Sequence, residues 1–196
     1  MANLLQGAEV DFRFKIINTR DGLSDNEITS ISDDGRGFLW LGTKEGLNRY
    51  DGYGVSVYNS NPFDTTALSG NRIWNIHKDK DGDIWSMTDK SVDLYIYGLD
   101  TFKRFNTGSR PTYMTADKEG LLWVATESSG LFSINKETME ITNFQFNPSD
   151  PFSISSNNFS IDQHNPIVVD PMGNLWVGTL NGLNYCLLYT SDAADE

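Results

Sequence analysis

The stretch DGRGFLWLGT, residues 34–43, decides the reading of this chain, because it returns three more times. The later copies are DKDGDIWSMT at 79–88, DKEGLLWVAT at 117–126 and DPMGNLWVGT at 170–179. All four fit Asp-x-x-Gly-x-(Leu/Ile)-Trp-x-(small or Met)-Thr. Each is followed by a short turn and another apolar pair: Gly46-Leu47, Val92 with Leu94, Gly130-Leu131 and Gly182-Leu183. The tryptophans fall at 40, 85, 123 and 176, so the period is 38 to 53 residues. Self-similarity at such a period marks a repeat architecture.

A second motif, (Leu/Ile)-Ser-x-Asn-x-(Ile/Phe), precedes three of the four copies, at 23–28, 68–73 and 154–159. The last two also share an upstream Asn-Pro-x-Asp, at 61–64 and 147–150. Within the first unit, residues 28–34, 38–43, 46–50 and 54–59 read as strands. DDGRG and TKEG read as the hairpin turns between them. Four short antiparallel strands in about 40 residues is the signature of a β-propeller blade. The expected fold is therefore all-β, an incomplete propeller ring of three full four-stranded blades and part of a fourth. The blades fall at about 23–59, 68–105, 110–146 and 154–185.

Alternation along a strand sends Phe38, Trp40 and Gly42 to one face and Leu39, Leu41 and Thr43 to the other. Both faces are largely apolar, as a sheet sandwiched between two others requires. Trp40, Trp85, Trp123 and Trp176 are then packing residues, and Gly37, Gly82, Gly120 and Gly173 are the turn glycines of the repeat. The small residue two positions after Trp (Gly42, Ala125, Gly178) leaves room for the adjacent blade, with Met87 as a flexible gap-filler. Residues 1–11 are a lead without pattern. Residues 12–17, FRFKII, alternate as a strand with no blade of its own, the kind that closes a ring by completing its last blade.

Composition narrows the function. A formal charge of −12 argues against a nucleic-acid partner, which needs a basic footprint. The longest apolar runs are about five residues, too short to span a bilayer, and the first residues lack the charged and apolar regions of a complete secretory signal. One cysteine rules out an internal disulfide framework. After Tyr185 the blade pattern calls for a fourth strand, but residues 186–196 read CLLYTSDAADE and fit no repeat position. They resemble the translation of a transposon-type sequencing adapter. We read them as non-native and expect a longer parent.

The run from Gly22 to Thr88, with GLSDNEI leading into GFLWLGTKEGLNRY and followed by Asp51-Gly52-Tyr53, resembles the two-component-regulator propeller family. The resemblance extends over residues 12–185, with Ser86-Met87 and Val124-Ala125 standing where the family has Leu/Val-Gly. It implies the N-terminal periplasmic sensor of a hybrid histidine kinase in the inner membrane of a glycan-foraging bacterium. Such a fragment binds oligosaccharides, has no catalysis of its own, and signals through further blades to a kinase elsewhere in the same protein, with a homodimer as a further partner. Two rivals stand beside this reading. One is a free-standing lyase of the streptogramin-lyase type, whose propellers carry similar Gly-x-(Leu/Ile)-Trp repeats. The other is a protein-interaction scaffold.

Catalytic patterns are thin. The two histidines, His77 in a first strand and His164 in the insertion before the fourth copy, belong to no HExxH or nucleophile motif, and no cofactor motif appears. Asp79-Lys80-Asp81-Gly82-Asp83 faintly resembles a calcium loop. It lacks the Gly at position six and the Glu at position twelve, so it reads as a hairpin turn and no metal site is expected. Loops before first strands and between second and third strands crowd one channel mouth. That nominates Asn71, Arg72, Lys44, Glu45, Asp89, Lys90 and Glu127 as ligand contacts. Trp74, the tryptophan outside the repeat, aligns with Thr29 and is either a packing residue or one that stacks on a sugar ring, while Arg72 can pair with a carboxylate or sulfate.

Overall fold

A computed structural model describes residues 12–161 and 165–186. Among the described residues, fifteen strands form antiparallel meanders. The first sheet contains β1 (Ile28–Asp33), β2 (Leu39–Thr43), β3 (Leu47–Tyr50) and β4 (Val55–Tyr58). The second contains β5 (Ile73–Lys78), β6 (Ile84–Thr88), β7 (Ser91–Ile96) and β8 (Thr101–Asn106), and the third β9 (Pro111–Ala116), β10 (Leu121–Thr126), β11 (Leu131–Asn135) and β12 (Glu140–Phe144). The fourth has three strands, β13 (Ile167–Val169), β14 (Leu175–Thr179) and β15 (Gly182–Cys186). The sheets sit one after another as blades of an unclosed ring, and one 3-10 turn at Thr19–Asp21 precedes them.

The repeat motif folds each first hairpin around its aspartate. One carboxylate oxygen of Asp34 accepts the backbone N–H groups of Arg36 (2.8 Å) and Phe38 (3.1 Å). The other accepts the indole N–H of Trp40 at 3.2 Å. Asp79 holds the amides of Asp81 and Asp83 and the indole of Trp85, also at 3.2 Å. Asp117 reaches Gly120, Leu121 and Trp123 (2.8 Å), and Asp170 reaches Met172, Asn174 and Trp176 (3.1 Å). The turn glycines at 37, 82, 120 and 173 have φ of 105°, 80°, 97° and 93°, a left-handed backbone that a Cβ disfavours. Burial alone would raise the Asp34 carboxyl, but the bonds from Tyr97, the turn amides and Trp40 outweigh it and hold the carboxyl below its ordinary value. At Asp170 the Asn174 amide and then the Trp176 indole bring it down to about 2.

Three apolar cores lie between successive blades. Trp40, Leu47, Leu68, Ile73 and Ile84 fill the first, Trp85, Val92, Met114, Leu122 and Phe132 the second, and Trp123, Leu131, Phe159, Ile167 and Leu175 the third. The small residue after Trp does what its size implies: a Cβ on Gly42 would stand 2.7 Å from Cγ2 of Ile73 in the next blade. Trp40, Trp85 and Trp123 are at most 3% exposed, whereas Trp176 is 37% exposed, with Leu183 and Tyr185 beside it on a face that no described blade covers.

The second motif proves to be a latch onto its own blade. Ser24 donates its N–H to Asn48 (2.9 Å) and shares a hydroxyl bond with Thr43 (2.8 Å). Ser69 does the same with Asp93 and Thr88, and Ser155 with Asn184 and Thr179. The third blade lacks the motif, and the position facing Val124, where Asn48 faces Leu41, holds the apolar Phe132. Lock and catch are missing together.

Polar ties also cross between blades. The Tyr97 hydroxyl donates to Asp34 of the blade before it at 2.8 Å. From the third blade, buried Lys136 places its ammonium among Asp79 (2.8 Å), Asp81 (2.8 Å) and Asp83 (2.7 Å) of the second. The loop that faintly resembled a calcium site is thus a hairpin turn filled by a lysine. The segment 12–17, expected as a strand, departs from that reading. Phe12, Phe14 and Ile16 are exposed and residues 12–18 form no ladder, since an extended segment without a partner strand has nothing to pair with. Cys186 pairs with Leu175 as the last residue of β15, while residues 1–11 and 187–196 lie outside the described residues.

Two outcomes follow from these ties. Lys136→Met leaves the buried Asp79 carboxylate without its cation and lowers unfolding stability by about 3 kcal/mol in urea titration, with the strand signal in circular dichroism unchanged. Asp93 is fully buried, and that burial raises its carboxyl above the ordinary value against the pull of Ser91 and Ser69. A carboxyl raised in the folded state costs stability at neutral pH and is relieved as pH falls through its folded value. Asp93→Asn restores the residue of the first and fourth blades and can donate to the Ser86 carbonyl as Asn48 donates to that of Leu41. Its unfolding free energy from urea titration exceeds that of the parent at pH 7 by about 1 kcal/mol, and the gap closes as pH falls toward the unfolded carboxyl value of about 3.9.

Candidate ligand site on the inner strands

The first strand of each blade faces inward, and these strands abut their successors: β1 against β5, β5 against β9, β9 against β13. Side chains knit them together. The Thr29 hydroxyl donates to the Ile73 carbonyl at 2.6 Å, and Ser30 bonds Asn75 and accepts from the Ile76 amide. Register shifts between Ile28 and Ser30 and between Ile73 and Asn75 put a bulge at the start of β1 and β5. A bulge re-aims the side chain it carries. In β5 that residue is Trp74.

Around Trp74 the structure gathers two cations from successive blades. Arg72, just before β5, and Arg110, just before β9, each bring a guanidinium carbon 4.2 Å from the centre of the Trp74 ring. Beside them opens a polar cavity of about 210 Å³ lined by Trp74, Asn75, Met87, Arg110, Thr112 and Tyr113, among others. The Nε of Arg72, the Nε1 of Trp74, the Nε of Arg110 and the hydroxyl of Thr112 are buried with no hydrogen-bond partner. Three of these four atoms can only donate. With two guanidiniums against its ring, Trp74 packs and is not free to stack on a sugar, the other role its sequence position offered. What it offers is the indole N–H.

The other nominated residues scatter. Asn71 accepts the Ser60 amide at 2.7 Å, as Asn26 accepts that of Thr19 and Asn157 that of Phe146, so it anchors the incoming loop. Lys44 pairs with Glu27 at the end of the first blade. Exposed Glu45 uses its carbonyl to hold the Asn59 amide, and the Asp89 carboxylate lies against Gly70. Lys90 lines a separate cavity of about 270 Å³ with Ser69 and Arg104. Glu127 sits behind the cluster, its amide donating to the Arg110 carbonyl at 2.9 Å. Sequence reading missed Arg110 and Thr112. Blade alignment carried the signal, since Arg110 stands one place before β9 as Arg72 does before β5, and Thr112 takes the place of Thr29 and Trp74.

A larger cavity of about 540 Å³ lies between β12 and β15, lined by Trp123, Phe144, Phe152, Leu175 and Tyr185. It borders the side of β15 where the blade pattern calls for a further strand, so it is a packing gap. His77 faces Trp85 across the β5–β6 ladder, is absent from the lining of the 210 Å³ cavity, and has a buried, partnerless Nε2. Burial lowers its pKa, with the Asp79 charge opposing, so it is held neutral. His164 lies outside the described residues.

Comparison with known proteins places this geometry. Residues 22–45 and 67–90 match the two-component regulator propeller family, so the first and second blades carry its repeats. Over 69 residues, 35% of this chain and 5% of the relative, the sequence is 39% identical to histidine kinase P4 of Formosa agariphila. Among solved structures, the extracellular domain of the hybrid two-component system BT3049 from B. thetaiotaomicron superposes with a TM-score of 0.62. It is 23% identical, and the match covers 87% of this chain and 30% of that one. Virginiamycin B lyase from Staphylococcus aureus gives a TM-score of 0.56 at 14% identity, over 82% of this chain and 52% of that one. The fold is a β-propeller, and the chain spans a small part of the kinase and under a third of the extracellular domain it matches.

The state of His77 is open to test. Its lowered pKa contributes stability that is present above the unfolded value of about 6.5 and is lost as pH falls through the folded value. Urea midpoints measured between pH 7.5 and 5 should therefore decline, and His77→Phe should flatten that part of the decline.

Proposed function

We propose that this chain is part of the ligand-sensing propeller of a hybrid two-component system. It lies outside the cytoplasmic membrane, recognises an oligosaccharide released by glycan breakdown, and passes a conformational signal to a histidine kinase borne by the same protein. One observation carries the reading. The inner-strand cavity presents donors without acceptors, yet among the described residues its lining holds no histidine and no carboxylate. Such a site can bind and orient a ligand through its N–H and O–H donors. The propeller repeats and the stretch shared with a histidine kinase support the signalling half of the proposal. No helix among the described residues is long and apolar enough to cross a membrane.

A propeller fold also serves a lyase, so fold alone does not choose between binding and catalysis. The parent gene, read well past both ends, decides. Further blades followed by a membrane helix and kinase and receiver modules are expected. A stop codon after a few more blades, with lyase activity in the purified product, overturns the proposal. A melting-temperature screen of the full-length parent against neutral and acidic oligosaccharides should find a ligand that raises it by several degrees. A parent that no saccharide shifts is a protein-interaction scaffold.

A further inference from the structure

The inner-strand cluster is specific about charge. We propose that Arg72, Trp74, Arg110 and Thr112 form an oxyanion subsite, which takes the carboxylate or sulfate group of an acidic saccharide. This rests on the ligand-sensing reading and narrows it to a class of ligand.

Partners separate these two arginines from Arg36, Arg49 and Arg104. Among the described residues, Arg36 reaches the Asp83 carboxylate, Arg49 that of Asp100, and Arg104 the carbonyls of Asn61, Asp64, Ala67 and Leu68. Arg72 and Arg110 have no such acceptor, although the chain carries an excess of twelve negative charges. Their resting contact is the Trp74 ring, which both approach to 4.2 Å. An aromatic face tolerates a guanidinium without neutralising it. Two like charges held against one indole therefore keep their mutual repulsion, and an anion between or beside them removes it.

Donor chemistry points the same way. The buried N–H groups of Arg72, Trp74 and Arg110 and the Thr112 hydroxyl lack partners, and a buried donor left unpaired works against the folded state. Carboxylate and sulfate oxygens accept several such bonds at once, and planar guanidinium forks match them in pairs. A neutral sugar hydroxyl can fill one donor but leaves both cations uncompensated. The cavity of about 210 Å³ has room for one such group with part of its sugar ring, against Met87 and Tyr113. Equivalent positions in the first blade are Glu27 and Thr29, so the charge pair belongs to the junction of the second and third blades.

The test is calorimetric titration of the full 196-residue chain with four probes. These are a glucuronate-containing disaccharide, an O-sulfated disaccharide, a neutral disaccharide of the same backbone, and inorganic sulfate. At least one acidic sugar should bind ten-fold or more tightly than the neutral one. Arg72→Gln and Arg110→Gln should each erase that preference, weakening the acidic sugar ten-fold or more and the neutral one by less. Arg110→Lys, which keeps the charge and loses the fork, should fall between. Weak, Arg110-dependent binding of sulfate alone also supports the subsite, and the uronate and ester arms tell which group it takes. Equal affinity for acidic and neutral sugars, or a preference that survives both Gln variants, overturns the subsite and leaves the sensor reading intact. Failure of every saccharide to bind to folded chain overturns both. Melting curves of each variant show that the fold persists, with Thr112→Val as a second probe of the site should an Arg variant not fold.

Discussion

One aspartate in each blade does two jobs with its two oxygens. The first closes the β1–β2 type of hairpin by gathering turn amides, and the second grips the indole of a tryptophan six residues on. The tryptophan's body fills the gap to the next blade, so turn geometry and inter-blade packing are set by the same carboxylate. This explains why Asp, Gly and Trp recur at fixed offsets in all four copies while the residues between them drift. The glycine supplies a backbone that no other residue adopts freely, and without it the amides would not converge on the oxygen.

Because each core is shared by two blades, stability in this fold is a property of junctions. Burial of the repeat tryptophans tracks it: the first three are enclosed by a neighbour, and Trp176 is the one left partly bare. Within a blade, the serine latch fixes the lead-in loop to the far end of the second and third strands, and that sets where the inner strand begins. The latch thus bears on function indirectly. It places residues such as Arg72, three positions past Ser69, at the inner face.

Most of the architecture was legible in the letters, because a period, an alternation and a turn glycine are all local. Strand ends in the first blade fell within a residue of those observed. Gly42 was read as making room for a neighbour, and Ile73 is that neighbour. What stayed hidden depended on pairing across the register. Asp34 looked like a turn former and Trp40 like filler until their bond was seen, and Ser24 and Asn48 stood in two motifs that proved to be one device. The surroundings of Trp74 were harder still. Simple parity assigns faces along a regular strand, and the bulge at the start of β5 breaks that parity, while Arg110 arrives from the next blade, 36 residues later.

Lys136 has a consequence of a different kind. Three carboxylates around one point are the sort of place where many extracellular repeats hold a divalent ion. Here the positive charge is covalently attached to the neighbouring blade, so it cannot be diluted, chelated or exchanged. A tethered cation has an effective concentration fixed by the chain and not by the medium. The joint between the second and third blades, next to which Arg72 and Arg110 meet, therefore keeps its geometry in hard water and soft alike.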